Sequence, residues 1–169
     1  MRLNYLVKKI IDLNLIPCSI KWRKSVSGIG RMYANILMMI QENYGSEGIK
    51  RLNEVMFKIG FNQADEILDS MGLDRNLKGC IYTLLVMHRI FGIESKIIQK
   101  DDYKAIVHIS SCYWKNKEGW SVKSCASIER YETGLVKKIL PDAAHYYTKR
   151  RSLGHDICEL VIERNASQC

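Results

Sequence analysis

The stretch "GIESKIIQKDDYKAIVHISSCYW", residues 92–114, is where the chain changes its repeat. Upstream of it, apolar residues recur every three or four positions. From Ile93 they alternate, so "IESKIIQKD" and "YKAIVHISSCYW" read as two strands joined by a turn near Asp101 and Asp102. Alternation puts Ala105, Val107, Ile109 and Ser111 on one face of the second strand and Ile106, His108, Ser110 and Cys112 on the other.

Upstream, Ile29, Met32, Tyr33, Ile36, Leu37, Met39 and Ile40 trace the apolar face of a helix over residues 25–44, which Gly45 ends. Residues 47–70 repeat the pattern through Ile49, Leu52, Val55, Met56, Ile59, Ala64, Ile67 and Leu68, with Gly60 read as a bend or break and Gly72 as the stop. Asp74 is the expected N-cap of a third helix. Its segment "GCIYTLLVMHRIFG" is apolar nearly all round and is predicted to be the most buried helix. Downstream, "NKEGW" is a loop and residues 122–139 return to helical spacing through Cys125, Ile128, Tyr131, Leu135 and Ile139, before Pro141. Residues 143–151 and 156–164 then form a hairpin around Gly-His-Asp, with Cys158, Leu160 and Ile162 facing the core.

Helices followed by a β-β-α-β-β unit predict an α+β fold, with N-terminal helices packed on an antiparallel sheet. The chain is expected to form one domain over residues 1–169, with a helical half at 1–92 and a β-rich half at 93–164. A chain of 169 residues buries enough surface to fold without a disulfide or metal. Any cysteine cluster therefore needs its own explanation.

The net charge is +8 and concentrates at the front, where residues 1–50 hold eight basic and three acidic side chains. Short basic runs with no zinc-finger, RRM or basic-aromatic pattern argue against nucleic acid as the partner. No apolar run reaches membrane-span length, and "MRLNYLVKKIIDLNLI" mixes charge throughout, unlike a signal-peptide core. Six cysteines at 18, 80, 112, 125, 158 and 169 match no CxxC framework, so free thiols in a reducing cytoplasm are the expectation.

The segments "CYWKNKEGWSVKSC", "ERYETGLVKKIL" and "SLGHDICELVIER", with "YGSEGIKRLNEVMFKIGFNQADEI" upstream, resemble the 4-vinyl reductase (hydrocarbon-binding) domains and the related L-2-amino-thiazoline-4-carboxylic acid hydrolase-like families. The likeness runs over roughly residues 25–164. It is carried by Cys112, Cys125, Gly134, Gly154 and Cys158. The resemblance implies an α+β domain, often a homodimer, with an apolar pocket between helices and sheet. Sensor domains of this type hold zinc beside that pocket through a Glu-x-x-Cys on the penultimate strand and the two cysteines matching Cys125 and Cys158. Here that strand reads "HYYTKRR", which offers His145 but neither glutamate nor cysteine.

These residues open three uses for the C-terminal thiols. Cys112, Cys125, His145 and Cys158 would give zinc four ligands if hairpin and helix converge; against that, free cysteines are commonly small core residues, and two ligands of the resemblance's set are missing. Cys125, near a helix start, or Cys112 could act as a nucleophile with His145 or His108 as base, as hydrolysis of a cyclic C–N bond would need. Alternatively the thiols line a binding pocket. Tyr82, Met87 and Phe91 are the expected apolar contacts there, and Arg89 orients an acidic ligand or pairs with Glu94. Lys149, Arg150 and Arg151 are read as a solvated edge, with carboxylate or phosphate binding as the alternative. "SVSGIGRMYAN" has Gly-x-Gly but no preceding strand and no third glycine, so close helix packing is preferred to a dinucleotide site. The function expected from the sequence is binding of a mostly apolar or aromatic small molecule, as sensor or carrier. The alternatives are the hydrolase and a homodimeric module without ligand.

Overall fold

The computed structural model describes residues 9, 16–115 and 117–164; Cys169 and most of the N-terminal sixteen residues lie outside them. The elements are α1 (Cys18–Met71), α2 (Leu77–Ile90), β1 (Ile93–Lys100), β2 (Lys104–Cys112), α3 (Val122–Ile139), β3 (Ala143–Lys149) and β4 (Cys158–Arg164), with a short 3-10 turn at Arg151–Leu153. The strands form one antiparallel sheet in the order β1-β2-β4-β3, and the helices cover one face of it. The α+β architecture read from the change of period is the one observed.

Local chemistry sets the boundaries. Gly45 takes φ 59 and ψ −144 and so breaks α1 into two helical arms where the sequence predicts a stop. Gly60 does not bend the second arm. A Cβ there would strike the Tyr131 carbonyl, and one at Gly134 would strike the Phe57 carbonyl, so the two glycines let α1 and α3 cross with their backbones nearly touching. The cap of α2 is Asn76, whose side chain accepts from the Gly79 N–H at 2.9 Å, rather than Asp74. Ser121 caps α3 in a reciprocal box with Ser124.

Two predicted faces differ from the structure. On the first arm of α1 the buried residues are Val26, Gly30, Ala34 and Leu37, while Ile29, Met32, Ile36 and Met39 are 41–59% exposed. The periodicity was real but small residues, which carry little hydrophobic signal, make the closer contact with the domain. Helix α2 is not buried all round either: Tyr82, Val86 and Ile90 lie along an outer stripe four residues apart.

The strand faces follow alternation until the ladder slips. Ala105, Val107 and Ile109 are buried as expected. The register then jumps, with Ser95 opposite Ile109 and Glu94 opposite Ser111, leaving Ser110 as an extra residue. This bulge turns Cys112 to the core face, opposite to simple alternation. A second slip at Thr148 sets Lys149 outward beside Glu159. Strand β3 consequently ends at Lys149 rather than 151.

Two clusters fill the covered face. Leu68, Ile81, Leu135, Leu160 and Ile162 lead a large aliphatic one. Val26, Ile93, Ile109 and Trp114 lead a smaller aromatic one, against which Cys112, Trp120, Tyr147 and Cys158 pack.

Candidate functional site

At the aromatic end, α3 and the sheet enclose a cavity of about 70 Å³. Helix α3 supplies Cys125, Ile128, Glu129 and Glu132 at helical spacing, and the strands supply Ile109, Cys112, Tyr147 and Cys158. Two grooves share its walls: one of about 460 Å³ bordered by Cys112, Trp120, Cys125, Arg151 and Cys158, the other of about 320 Å³ bordered by Met87, His88, Phe91, Trp114, Ile128 and Glu132. Trp114 and Trp120 stack at 4.7 Å between ring centres and close the hollow. The Trp114 indole N–H donates to the Val26 carbonyl at 3.3 Å, so the first arm of α1 roofs this end. Gly30 beneath the indole explains the Gly-x-Gly of the sequence, because a Cβ would lie 2.5 Å from Trp114 Nε1.

All three predicted thiols line the cavity. Each has a local donor rather than an imidazole. Trp120 Nε1–H donates to Cys125 Sγ at 3.2 Å, the Arg151 backbone N–H donates to Cys158 Sγ at 3.3 Å, and the Trp114 and Lys115 backbone N–H groups favour the thiolate form of Cys112. Burial pushes the Cys112 and Cys158 thiols up in spite of those bonds. They are therefore protonated at neutral pH.

The polar floor is the part that sequence reading did not find. Glu132 is 5% exposed and its carboxylate takes the His88 Nε2–H on Oε1 at 3.1 Å and the Tyr147 hydroxyl on Oε2 at 2.8 Å. Burial pushes this carboxyl up, but the bond and charge of His88, the charge of His145 and the Tyr147 hydroxyl together outweigh it and hold the group below the ordinary carboxylate value. With Nε2 donating, His88 Nδ1 is a buried nitrogen with no hydrogen-bond partner among the described residues. The signal was present in "CASIERYETGL": Glu132 sits four residues after Ile128 and three before Leu135, on the apolar face.

His145 stands behind this floor rather than in the cavity wall. Thr133 Oγ1 donates to the Glu129 carbonyl at 2.7 Å, so it must accept from His145 Nδ1–H at 3.0 Å. That tautomer leaves His145 Nε2 3.6 Å from Glu132 Oε2. Burial pushes the ring down more than Glu132 and Glu129 pull it up. His108 is on the opposite face of the sheet, bonded to Glu159 at 2.7 Å. The zinc set of Cys112, Cys125, His145 and Cys158 is thus split between cavity and floor. No three His, Cys, Asp or Glu side chains among the described residues are grouped to hold a metal ion.

The other predicted contacts divide. Met87 and Phe91 border the His88 groove, whereas Tyr82 and Arg89 are exposed. Arg150 is not a solvated edge residue: it lines the cavity, pairs with Glu129 and lies 5.2 Å over the Tyr147 ring. Lys149 pairs with Glu159 on the outer face.

Among solved structures, the fold is similar to that of a trafficking protein particle complex subunit 3 from Naegleria fowleri covalently bound to palmitic acid, with a TM-score of 0.64 and 17% identity over 83% of this chain and 95% of that one. It is also similar to the phenol-responsive sensory domain of the transcription activator PoxR with phenol, with a TM-score of 0.60 and 12% identity over 82% of this chain and 74% of that one. No protein-family model matches the chain, and no curated protein matches it. At these identities the likeness establishes the fold. No helix among the described residues is long and apolar enough to cross a membrane.

Proposed function

We propose that the protein is a ligand-binding domain of the 4-vinyl reductase type that takes up a small, mostly apolar or aromatic molecule between α3 and the sheet, as a sensor or carrier. The observation that carries this reading is an indole-walled cavity whose floor is a buried, hydrogen-bonded carboxylate with an unpartnered histidine nitrogen beside it. Such a wall recognises apolar bulk, and the Glu132–His88 pair accepts one hydroxyl or N–H. The phenol and palmitate held by the two structural relatives are molecules of this kind, and the shared fold supports the same use here.

A cavity of about 70 Å³ holds on the order of two water molecules. A ligand therefore enters by joining the cavity to the His88 groove, which turns Trp114 or Ile128 aside. Thermal-shift measurements with phenol, alkylphenols and palmitate test the proposal. Saturable stabilisation by at least one of them is expected, and an Ile128→Trp variant, which fills the junction, loses it while keeping the native circular dichroism. No stabilisation of the wild type by any of the three compounds overturns the reading. The nucleophile reading is not favoured, because neither His145 nor His108 lines the cavity beside the thiols.

A further inference from the structure

The groove of about 460 Å³ outside the hollow carries charge that the fold does not use. Lys115 and Arg151 border it, and no aspartate or glutamate among the described residues does. Neither cation has an ion pair among those residues. Arg150, one position earlier, shows the contrast: Glu129 neutralises it. The short turn Arg151–Leu153 also leaves Arg151 Nε and Ser152 Oγ buried without a hydrogen-bond partner among the described residues. Buried polar groups are nearly always satisfied, so two of them on one turn, beside an uncompensated cation, mark a place where the acceptor comes from outside the chain.

The neighbours favour an anion there. Helix α3 begins at the same wall, through Ser121 and Val122, with no acid in its first turn, so the positive end of its dipole adds to the two cations. The thiols of Cys112 and Cys158 are protonated and bring no negative charge. The inner hollow is the reverse, because Glu129 and Glu132 line it. An acid is therefore drawn to the groove and repelled from the floor. Cavity and groove share Cys112, Trp120, Cys125 and Cys158 as a common wall, so one ligand can span both. A carboxylate offers roughly four lone-pair sites. Once the Arg151 side chain turns to it, the guanidinium fork takes two of them, and the Ser152 hydroxyl and the Lys115 ammonium take one each. A phosphate monoester has more acceptor sites than these groups fill.

We propose that this groove is the head-group site of an apolar acid, with Arg151, Ser152 and Lys115 holding the carboxylate and the apolar body lying against Trp120 in the hollow. The proposal rests on the ligand-binding reading above and adds to it the charge of the ligand and the residues that select it.

Titration of the full chain with two matched pairs, followed by indole fluorescence, tests it: phenylpropanoate against phenylpropanol, and octanoate against octanol. Each acid is expected to bind about tenfold more tightly than its alcohol, and added salt to weaken the acids alone. Arg151→Met, which keeps most of the side-chain length, is expected to abolish the preference with native circular dichroism, and Arg151→Lys to retain part of it. Acids and alcohols that bind the wild type alike overturn the head-group site and leave the apolar pocket standing. Absence of binding by all four compounds removes the pocket reading and this site with it. A preference that survives Arg151→Met combined with Lys115→Met, or octyl phosphate binding more tightly than octanoate, also overturns the assignment.

Discussion

One face of one sheet carries two unlike interiors. At one end Ile81, Leu135, Leu160 and Ile162 are fully buried among other aliphatic side chains. At the other end Ile93 and Ile109 meet indoles, thiols and a carboxylate, and the packing leaves a hollow. Aliphatic side chains interdigitate to the density of an organic crystal. Flat rings and hydrogen-bonded polar groups cannot do so on every side, because each holds its position for a donor or acceptor as well as for contact. Trp114 serves the Val26 carbonyl, Tyr147 serves Glu132, and Trp120 serves Cys125. The aliphatic end therefore holds the fold, and the aromatic end keeps an open space.

The comparison breaks first if truncation costs the same at both ends. Leu135→Ala is expected to destabilise by about 2–5 kcal/mol in urea unfolding, from lost transfer energy and an uncollapsed void. Cys158→Ala, which enlarges a hollow that already exists, is expected to cost about 1 kcal/mol or less. Gly134→Ala belongs with the first group. Its methyl would collide with the Phe57 carbonyl, and separating α1 from α3 is expected to cost about 3 kcal/mol. Equal losses for Leu135→Ala and Cys158→Ala would mean that the hollow is packed as tightly as the aliphatic end.

Acid sharpens the contrast, because two buried groups that take up protons in acid, Glu132 and His145, lie toward the aromatic end. His145 has a folded pKa below its ordinary 6.5, so the unfolded chain binds its proton first. Its contribution to stability is complete above that value and falls as the pH drops below it. Glu132, also depressed, adds a second loss as the pH passes down through the carboxylate range from 4.5. Stability is thus expected to decline below about pH 6.5, and more steeply below about pH 4.5. His145→Asn, whose amide can still donate to Thr133, should flatten the first part of that decline. An unchanged slope between pH 7 and 5 in urea titrations of the variant would place the acid sensitivity elsewhere.

The aliphatic end was legible because its signal is additive: alternating Ala105, Val107 and Ile109, and the Leu135 and Ile139 spacing of α3, agree with one another wherever the count starts. The inward turn of Cys158 was legible for the same reason. The aromatic end was not, because its geometry depends on interruptions. Ser110 as an extra residue reverses Cys112, and Thr148 as an extra residue frees Arg150 to reach Glu129. Neither bulge has a glycine or proline to announce it. Glu132 was hidden differently. A charged residue inside an apolar row reads as a defect until its partners His88 and Tyr147, distant along the chain, are brought to it.

The smallest expected effect concerns the rates at which the thiols react, since alkylation of a cavity wall need not unfold anything. The thiolate is the reacting species, so both access and protonation set the order. Cys18 is exposed and should be modified first. Cys112 and Cys158 reach solvent through the larger groove, yet burial raises both thiols, so they should follow slowly and accelerate as the pH is raised. Cys80 is fully buried in the aliphatic cluster with its thiol pushed up to about 12, and should react only when the chain unfolds. Mass mapping of iodoacetamide adducts against time separates these classes. If Cys80 is labelled as fast as Cys158 under native conditions, the two ends open together and the division between a sealed interior and an accessible hollow fails. If a bound phenol slows Cys158 while leaving Cys18 unchanged, the ligand sits against the wall that β4 contributes.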